Sequence, residues 1–441
     1  MNRKLKKRLV ERAVRAEARA AEKLLKQVHD LAEPAFRETE SARAIAGYLE
    51  SRGFRVEFPW RRLPTAFRAE RGAGRPAIGI LGEYDALPDC GAKPGQWGHG
   101  CGHDLLGVGA AIGAVAAAQV LARRGARAGR VVYYGCPAEE RLAGKGYMAR
   151  DGAFRDLDAC LAWHPSGKTR ANNVGGSALD SLVFDFRGRT AHGASAHSGR
   201  SALDAVMLTD VAANYLREHV PENVRIHMVV RGGGDAPNVV PAAARAWYFV
   251  RGKDRAQVDE VRERLLACAR GAAMATGTSF RWRRIAAIYE RLPSDALTAG
   301  LGANLELFGA PRATAADVRR ARRLGLREGF SVGVQEPSPQ QGRGSTDEDT
   351  VSWLCPLARF DLACVAKGTT GHHRQLAAQT TLPFAVRGML GAAKVFAGCA
   401  VDLVSDRKLL GKARAEFRRR TRKFRFDPLL AKSQKVPIEA P

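Results

Sequence analysis

Four short polar clusters carry the residue types that metal-assisted hydrolysis needs. The first, His99-Gly-Cys101-Gly-His103-Asp104, sets a thiol and an imidazole two residues apart on a glycine-lined loop. Such borderline-soft donors suit zinc, with manganese and cobalt as further candidates where oxygen ligands lie nearby. A Cys-x-His pair also arises by chance, the cysteine then being a small buried hydrophobe. The second cluster, Pro137-Ala-Glu139-Glu140, follows the apolar run Val131 to Tyr134. Adjacent side chains on extended backbone point in opposite directions, so one carboxylate can bind metal while its neighbour takes a proton from water. Two solvated glutamates are the plainer alternative. The third and fourth are Trp163-His164-Pro165 and Gly371-His372-His373. A single histidine is more often a surface or hydrogen-bonded residue than a ligand, but clusters at the ends of successive apolar runs are harder to dismiss.

The elements that must position these clusters read as an alternation. Residues 3 to about 51 are expected to be helical, with Glu38 to Ser41 at a helix start before Ala42 to Leu49. Ala77 to Leu81 and Arg130 to Gly135 read as strands. Leu105 to Ala122, uncharged for 18 residues, reaches the length of a membrane span. It is rich in Ala and Gly rather than Leu and is entered from a His-Asp pair, so a buried helix is expected. Strand, helix, strand predicts an α/β fold: a parallel or mixed sheet with helices on its faces and ligand sites beyond the strands' carboxyl ends. After His164 the pattern changes. Asp180 to Gly188, Val224 to Val230 and Arg245 to Arg251 read as strands, and Ser201 to Arg217 and Val258 to Ala275 as helices. This predicts an inserted α+β domain over residues 177–287, interrupting a catalytic domain of residues 1–176 and 288–441. The part after Val404 reads as a basic helix and a Pro-containing irregular end.

With 441 residues, 45% of them hydrophobic, the chain can build two or three ordinary globular domains. Lys and Arg number 71 against 45 Asp and Glu, giving +26. The arginines are scattered, densest from Arg418 to Arg425, with no nucleic-acid-binding motif beside them, so no specific nucleic acid partner is expected. Eight cysteines without a CxxC pair point to a reducing cytoplasm. Glu11, Arg12 and Arg15 interrupt any signal core near the start, and neither secretion nor a membrane partner is expected.

The order of these motifs resembles the metallo-aminohydrolases and peptidases that include carboxypeptidase G, aminoacylases and indole-acetyl-amino-acid hydrolases. The resemblance spans about residues 25 to 430. It rests on Gly82-Glu-Tyr-Asp-Ala-Leu-Pro88, the Cys101 loop, Pro-Ala-Glu-Glu, Trp-His-Pro, Gly188-Arg-Thr-Ala-His192, Gly199-Arg-Ser-Ala-Leu-Asp-Ala205, Ala236-Pro-Asn-Val-Val-Pro241 and Gly344-Ser-Thr-Asp347. It implies a zinc-peptidase-like catalytic domain with an inserted lid and dimerisation domain. By resemblance, Cys101, His103, Glu140, His164 and His372 hold one or two divalent ions, zinc or manganese first and cobalt next. Glu139 is the general base, and Asp85 is an acidic residue close to the metal. His192 stabilises the oxyanion in a partner's site, and Asn238 holds substrate. The implied reaction is hydrolysis of an amide by metal-activated water, with Glu139 passing that water's proton to the departing amine.

Three departures bear on specificity. His373 and Arg374 follow His372 where the family usually has a small residue and then Trp, which leaves His373 as an alternative ligand or a substrate-binding residue. Glu348-Asp349-Thr350 stands where a Gly-Asp pair is favoured, and His197 is atypical. The expected substrate is an N-acyl or N-aroyl amino acid, for instance an aminobenzoyl-glutamate-like amide. A dipeptide, or an aromatic amine undergoing hydrolytic deamination, is the alternative. A homodimer is expected, with a heteromer containing a homologous subunit as the other assembly.

Overall fold

A computed structural model describes residues 1–123, 129–337 and 344–439. In chain order the elements begin with α1 (Arg3–Leu31), α2 (Thr39–Glu50), β1 (Arg55–Glu57), β2 (Phe67–Ala73), β3 (Ala77–Glu83), α3 (His103–Arg123), β4 (Gly129–Cys136), α4 (Gly144–Arg150), β5 (Ala159–Ser166) and β6 (Arg170–Asn172). There follow β7 (Ala178–Arg187), α5 (Ala202–Glu218), β8 (Arg225–Gly232), β9 (Ala243–Gly252), α6 (Arg255–Thr276) and β10 (Ser279–Ile288). The chain ends with α7 (Asp295–Phe308), α8 (Ala315–Arg323), α9 (Glu348–Val351), β11 (Leu357–Ala363), α10 (Arg374–Thr380), α11 (Pro383–Ser405) and α12 (Arg407–Thr421). They form two compact units. The first is Met1–Val174, Leu292–Gln341 and Val351–Asp427; the second is Gly175–Arg291, Gly342–Thr350 and Pro428–Pro441.

The first unit is built on a seven-stranded mixed sheet of order β1-β2-β4-β3-β5-β11-β6. Strands β4, β3, β5 and β11 run parallel, while β1, β2 and β6 are antiparallel to their neighbours. Strand β3 is buried along its whole length, as expected of a central parallel strand covered on both faces. Helix α3 packs against β3, β4 and β5 and against α1 and α11. Both α3 and α11 are long and apolar enough to cross a membrane, yet 89% and 72% of their apolar windows lie inside the fold. They are core helices, and the small Ala and Gly side chains of α3 let its neighbours approach closely. One apolar core runs from Val10 and Leu25 of α1 through Ile80, Val115 and Val131 to Phe360 and Phe396.

The second unit is a four-stranded antiparallel sheet, β10-β7-β9-β8, backed by α5 and α6 around its own core of Phe184, Phe186, Tyr248 and Leu265. Strand β10 is absent from the sequence-based expectation, because Arg281, Arg283 and Arg284 mask its alternation; Arg283 is neutralised by Asp185 on the neighbouring β7, 2.6 Å away. From Pro428 onward the chain belongs to the second unit, where Arg284 Nη1 donates to Leu429 O at 2.9 Å and Gln434 Nε2 donates to Arg284 O at 2.6 Å. Residues 344–350 join it likewise: Ser177 N donates to Gly344 O at 2.9 Å, and Arg291 pairs with Glu348 and, at 2.6 Å, with Asp349.

Candidate metal centre

The parallel strands of the first unit end together, and the loops beyond those ends carry the site. Strand β3 delivers Glu83 and, two residues on, Asp85; the loop after it returns through Cys101 to His103, the first residue of α3. Gly102 lies between the two donors at φ +82, a left-handed conformation that glycine adopts without a Cβ penalty, and its neighbours are thereby turned toward one region. Strand β4 leads into Glu139 and Glu140, β5 carries His164, and the segment after β11 carries His372.

Around Glu139 the backbone is not extended as expected. Ala138 takes φ +56, and residues Glu139–Arg141 form a tight 3-10 turn. Both carboxylates reach the site: Glu140 Oε2 is 3.5 Å from His372 Nε2 and its Oε1 is 3.9 Å from His103 Nδ1, while Glu139 Oε2 is 3.9 Å from His103 Nε2. Gly144 closes this turn so tightly that a Cβ would lie 1.7 Å from Pro137 O.

The ligand atoms of Cys101, His103 and His164 lie within 4.8 Å of one another, and so do those of Cys101, Glu140 and His372. All five expected ligands are therefore brought together, with Cys101 common to both triads. The imidazoles are oriented for this. His103 Nδ1 donates to Asp85 Oδ1 at 2.9 Å, and His164 Nδ1 donates to Pro165 O at 2.8 Å, leaving both Nε2 atoms inward. His164 Nε2 is 3.3 Å from Cys101 Sγ. Asp85 also accepts Glu140 N at 2.9 Å through its other oxygen, so one buried carboxylate ties two metal-facing segments together.

The electrostatics ask for a cation. Burial pushes the Cys101 thiol up to about 12. Burial, aided by the Asp85 charge and opposed by His103, raises Glu140 to about 7. Burial next to Arg359 and His103 lowers His164 to about 3, keeping it a neutral donor. Among the described residues, His103 Nε2 and Glu140 Oε1 are buried without a hydrogen-bond partner. A buried imidazole nitrogen, a buried carboxylate oxygen, a thiol and surplus carboxylates fit a divalent ion, whose charge would hold Cys101 as thiolate.

His373 is not part of these triads. Its Nδ1 accepts Gln375 N at 3.2 Å as the cap of α10, and its neighbour His372, at φ +55, donates its backbone N–H to Gly100 O at 2.9 Å. In the second unit, His192 and Asn238 are exposed neighbours, since Gly193 N donates to Asn238 O at 2.7 Å and His192 Nδ1 accepts Ala194 N at 3.0 Å.

Three further residues of the site carry no signal that singles them out in the sequence. Glu38, fully buried, accepts Ala138 N and Thr65 Oγ1, each at 2.8 Å, and burial beside Asp85 raises it to about 8. Glu83 and Lys145 form a buried ion pair at 2.6 Å. Glu83 lies inside a recognised motif that gives it no role, and nothing local distinguishes Glu38 or Lys145 from a surface charge.

Residues 79–280 match the profile of peptidase family M20/M25/M40. The chain is 35% identical to a subunit of the p-aminobenzoyl-glutamate hydrolase of Escherichia coli K12, over 93% of this chain and 94% of that protein. It is 30% identical to a human Xaa-Arg dipeptidase, over 83% and 81% of the two chains. In fold it is similar to a Bacillus subtilis protein described as a dinuclear metal binding peptidase from the M20 family, with a TM-score of 0.54, 20% identity and coverage of 88% of this chain and 99% of that one. The chain therefore belongs to peptidase family M20/M25/M40, and it is an amidohydrolase.

Proposed function

We propose that this hydrolase cleaves the amide bond of an N-acyl or N-aroyl amino acid, with an aminobenzoyl-glutamate-like compound as the first candidate, in a centre held by Cys101, His103, Glu140, His164 and His372. The observation that supports the reading is the gathering of these five side chains into two triads, with Glu139 Oε2 3.9 Å from His103 Nε2 beside them. When bound there, a divalent ion supplies Lewis-acid polarisation and acidifies water. Asp85 fixes the His103 ring through Nδ1, Cys101 and Glu140 bring negative charge, and Glu139 takes the proton from the attacking water and returns it to the leaving amine nitrogen. Zinc and manganese suit this mixed sulfur, nitrogen and oxygen set best, and cobalt is a further candidate. The substrate class is supported by the 35% identity to a p-aminobenzoyl-glutamate hydrolase subunit.

Dipeptide hydrolysis is the second reading, supported by the 30% identity to a dipeptidase. A panel of p-aminobenzoyl-glutamate, dipeptides ending in arginine, and aromatic amines separates the readings by the product formed: glutamate, arginine or ammonia. Absence of all three products would sink each of them.

The second unit is proposed to act as lid and dimerisation domain, with His192 stabilising the oxyanion in a partner's site and Asn238 holding substrate. Its α5 exposes Met207, Leu208, Val211 and Tyr215, and the edge strand β8 exposes Val229 and Val230. An apolar helix face beside an unpaired strand edge supports pairing with a second copy. Because the E. coli relative is one subunit of its hydrolase, a homologous partner chain is the other assembly to test. A cytoplasmic location is proposed on the eight free cysteines, which fit a reducing compartment.

A further inference from the structure

Next to the two triads lies a third group of potential ligand atoms within 4.8 Å of one another: Glu83, His103 and Glu139. Glu83 is the last residue of β3 and 3% exposed; Lys145, on α4, is fully buried. Lys145 Nζ pairs with Glu83 Oε1 at 2.6 Å. A buried Lys–Glu pair is expensive to desolvate, and an apolar pair of similar volume commonly serves stability as well or better. Stability alone is thus a weak reason to bury this one.

The second oxygen supplies a stronger reason. Glu83 Oε2 is 3.4 Å from His103 Nε2, on a fully buried ring whose Nε2 has no hydrogen-bond partner. The other ring nitrogen of His103 is committed to Asp85. Glu83 is therefore a carboxylate with one oxygen anchored on a rigid ammonium and the other presented to the ligand atom of His103.

We propose that Glu83 is a further metal donor of this centre, sharing the ion held by His103, and that Lys145 is the positioning residue that leaves only Oε2 for it. The inference rests on the metal-centre reading above. It adds a carboxylate that none of the recognised motifs assigns to the ligand set, and it explains why a lysine is buried directly behind the Glu139–Glu140 turn. The added oxygen also biases the site toward ions that accept mixed sulfur, nitrogen and oxygen ligands.

Full-length protein is stripped with chelator and titrated with zinc alone, in competition with a chromogenic chelator. Wild-type protein that takes up no zinc would overturn the metal centre itself, independently of Glu83. If wild type binds, Glu83→Gln is expected to weaken zinc affinity by about ten- to a hundredfold. Affinity within about threefold of wild type would overturn the proposal. Should that variant not fold, Lys145→Met decides. With the ammonium gone, bound zinc is the cation that offsets Glu83, so the rise in unfolding temperature on adding zinc should exceed that of wild type. A rise equal to wild type's would mean that the pair is only a structural strut.

Discussion

Asp85 and His103 form a fully buried carboxylate–imidazole pair at 2.9 Å, and the same carboxylate accepts the backbone N–H of Glu140. Ring orientation and the position of a second candidate ligand therefore depend on one side chain. Asp85→Asn replaces an acceptor-only group by an amide that can present N–H to His103, which disfavours the Nε2-facing tautomer. Metal affinity is expected to fall by about ten- to a hundredfold, measured by chelator competition. Unchanged affinity would mean that Asp85 does not orient the ligand.

Glu139→Gln keeps size and removes the proton acceptor. The expected result is a loss of about 10²- to 10⁴-fold in kcat with metal content unchanged, read by steady-state kinetics alongside elemental analysis. If activity persists, the proton is handled elsewhere.

His372 and His373 should respond differently. His372→Ala removes a donor facing Glu140 and is expected to reduce bound metal. His373→Ala removes the cap of α10 and is expected to leave metal content intact at a stability cost of about 0.5–1 kcal/mol, seen in urea unfolding. The reverse pattern would reassign the ligand.

A pH effect follows from His29, half-buried on α1. Burial lowers its pKa, but the hydrogen bond and charge of Asp104, 2.9 Å away, outweigh that and leave it raised above the ordinary 6.5. Between 6.5 and the folded-state value the native chain holds a proton that the unfolded chain has released. Stability from this contact is thus complete below 6.5 and is lost as pH rises through the higher folded-state value. Chelator-stripped wild type should show this decline in unfolding midpoint across that window, and His29→Gln should flatten it; identical pH profiles would remove His29 as the cause.

How much of the fold and site is legible in the sequence follows from how locally each signal is written. Strands β3 and β4 and helices α3, α5 and α6 announce themselves through apolar runs or periodicity, because each buries a face that its own residues define. Strand β10 does not, since its arginines find acidic partners across the sheet that no local window contains. Cys101, His103, Glu140, His164 and His372 lie in four polar clusters visible in the sequence, and it is the resemblance of the motif order to a known family that singles them out as ligands. The sequence suggests extended backbone at Glu139 and Glu140, whereas the chain turns there through a left-handed Ala138 and a 3-10 turn that no local pattern announces. Glu38 and Lys145 are silent because their burial is decided by distant chain segments; the amide that Glu38 binds belongs to Ala138, 100 residues away.

Elemental analysis of purified protein, with glutamate release from p-aminobenzoyl-glutamate followed in the same samples before and after chelation, shows whether a metal centre in this chain hydrolyses an amide. About one or two divalent ions per chain, loss of hydrolysis on stripping and recovery on re-addition of zinc or manganese are expected. Protein that retains no metal under any loading condition, or that hydrolyses its substrate at full rate after stripping, would contradict a metal centre that hydrolyses an amide.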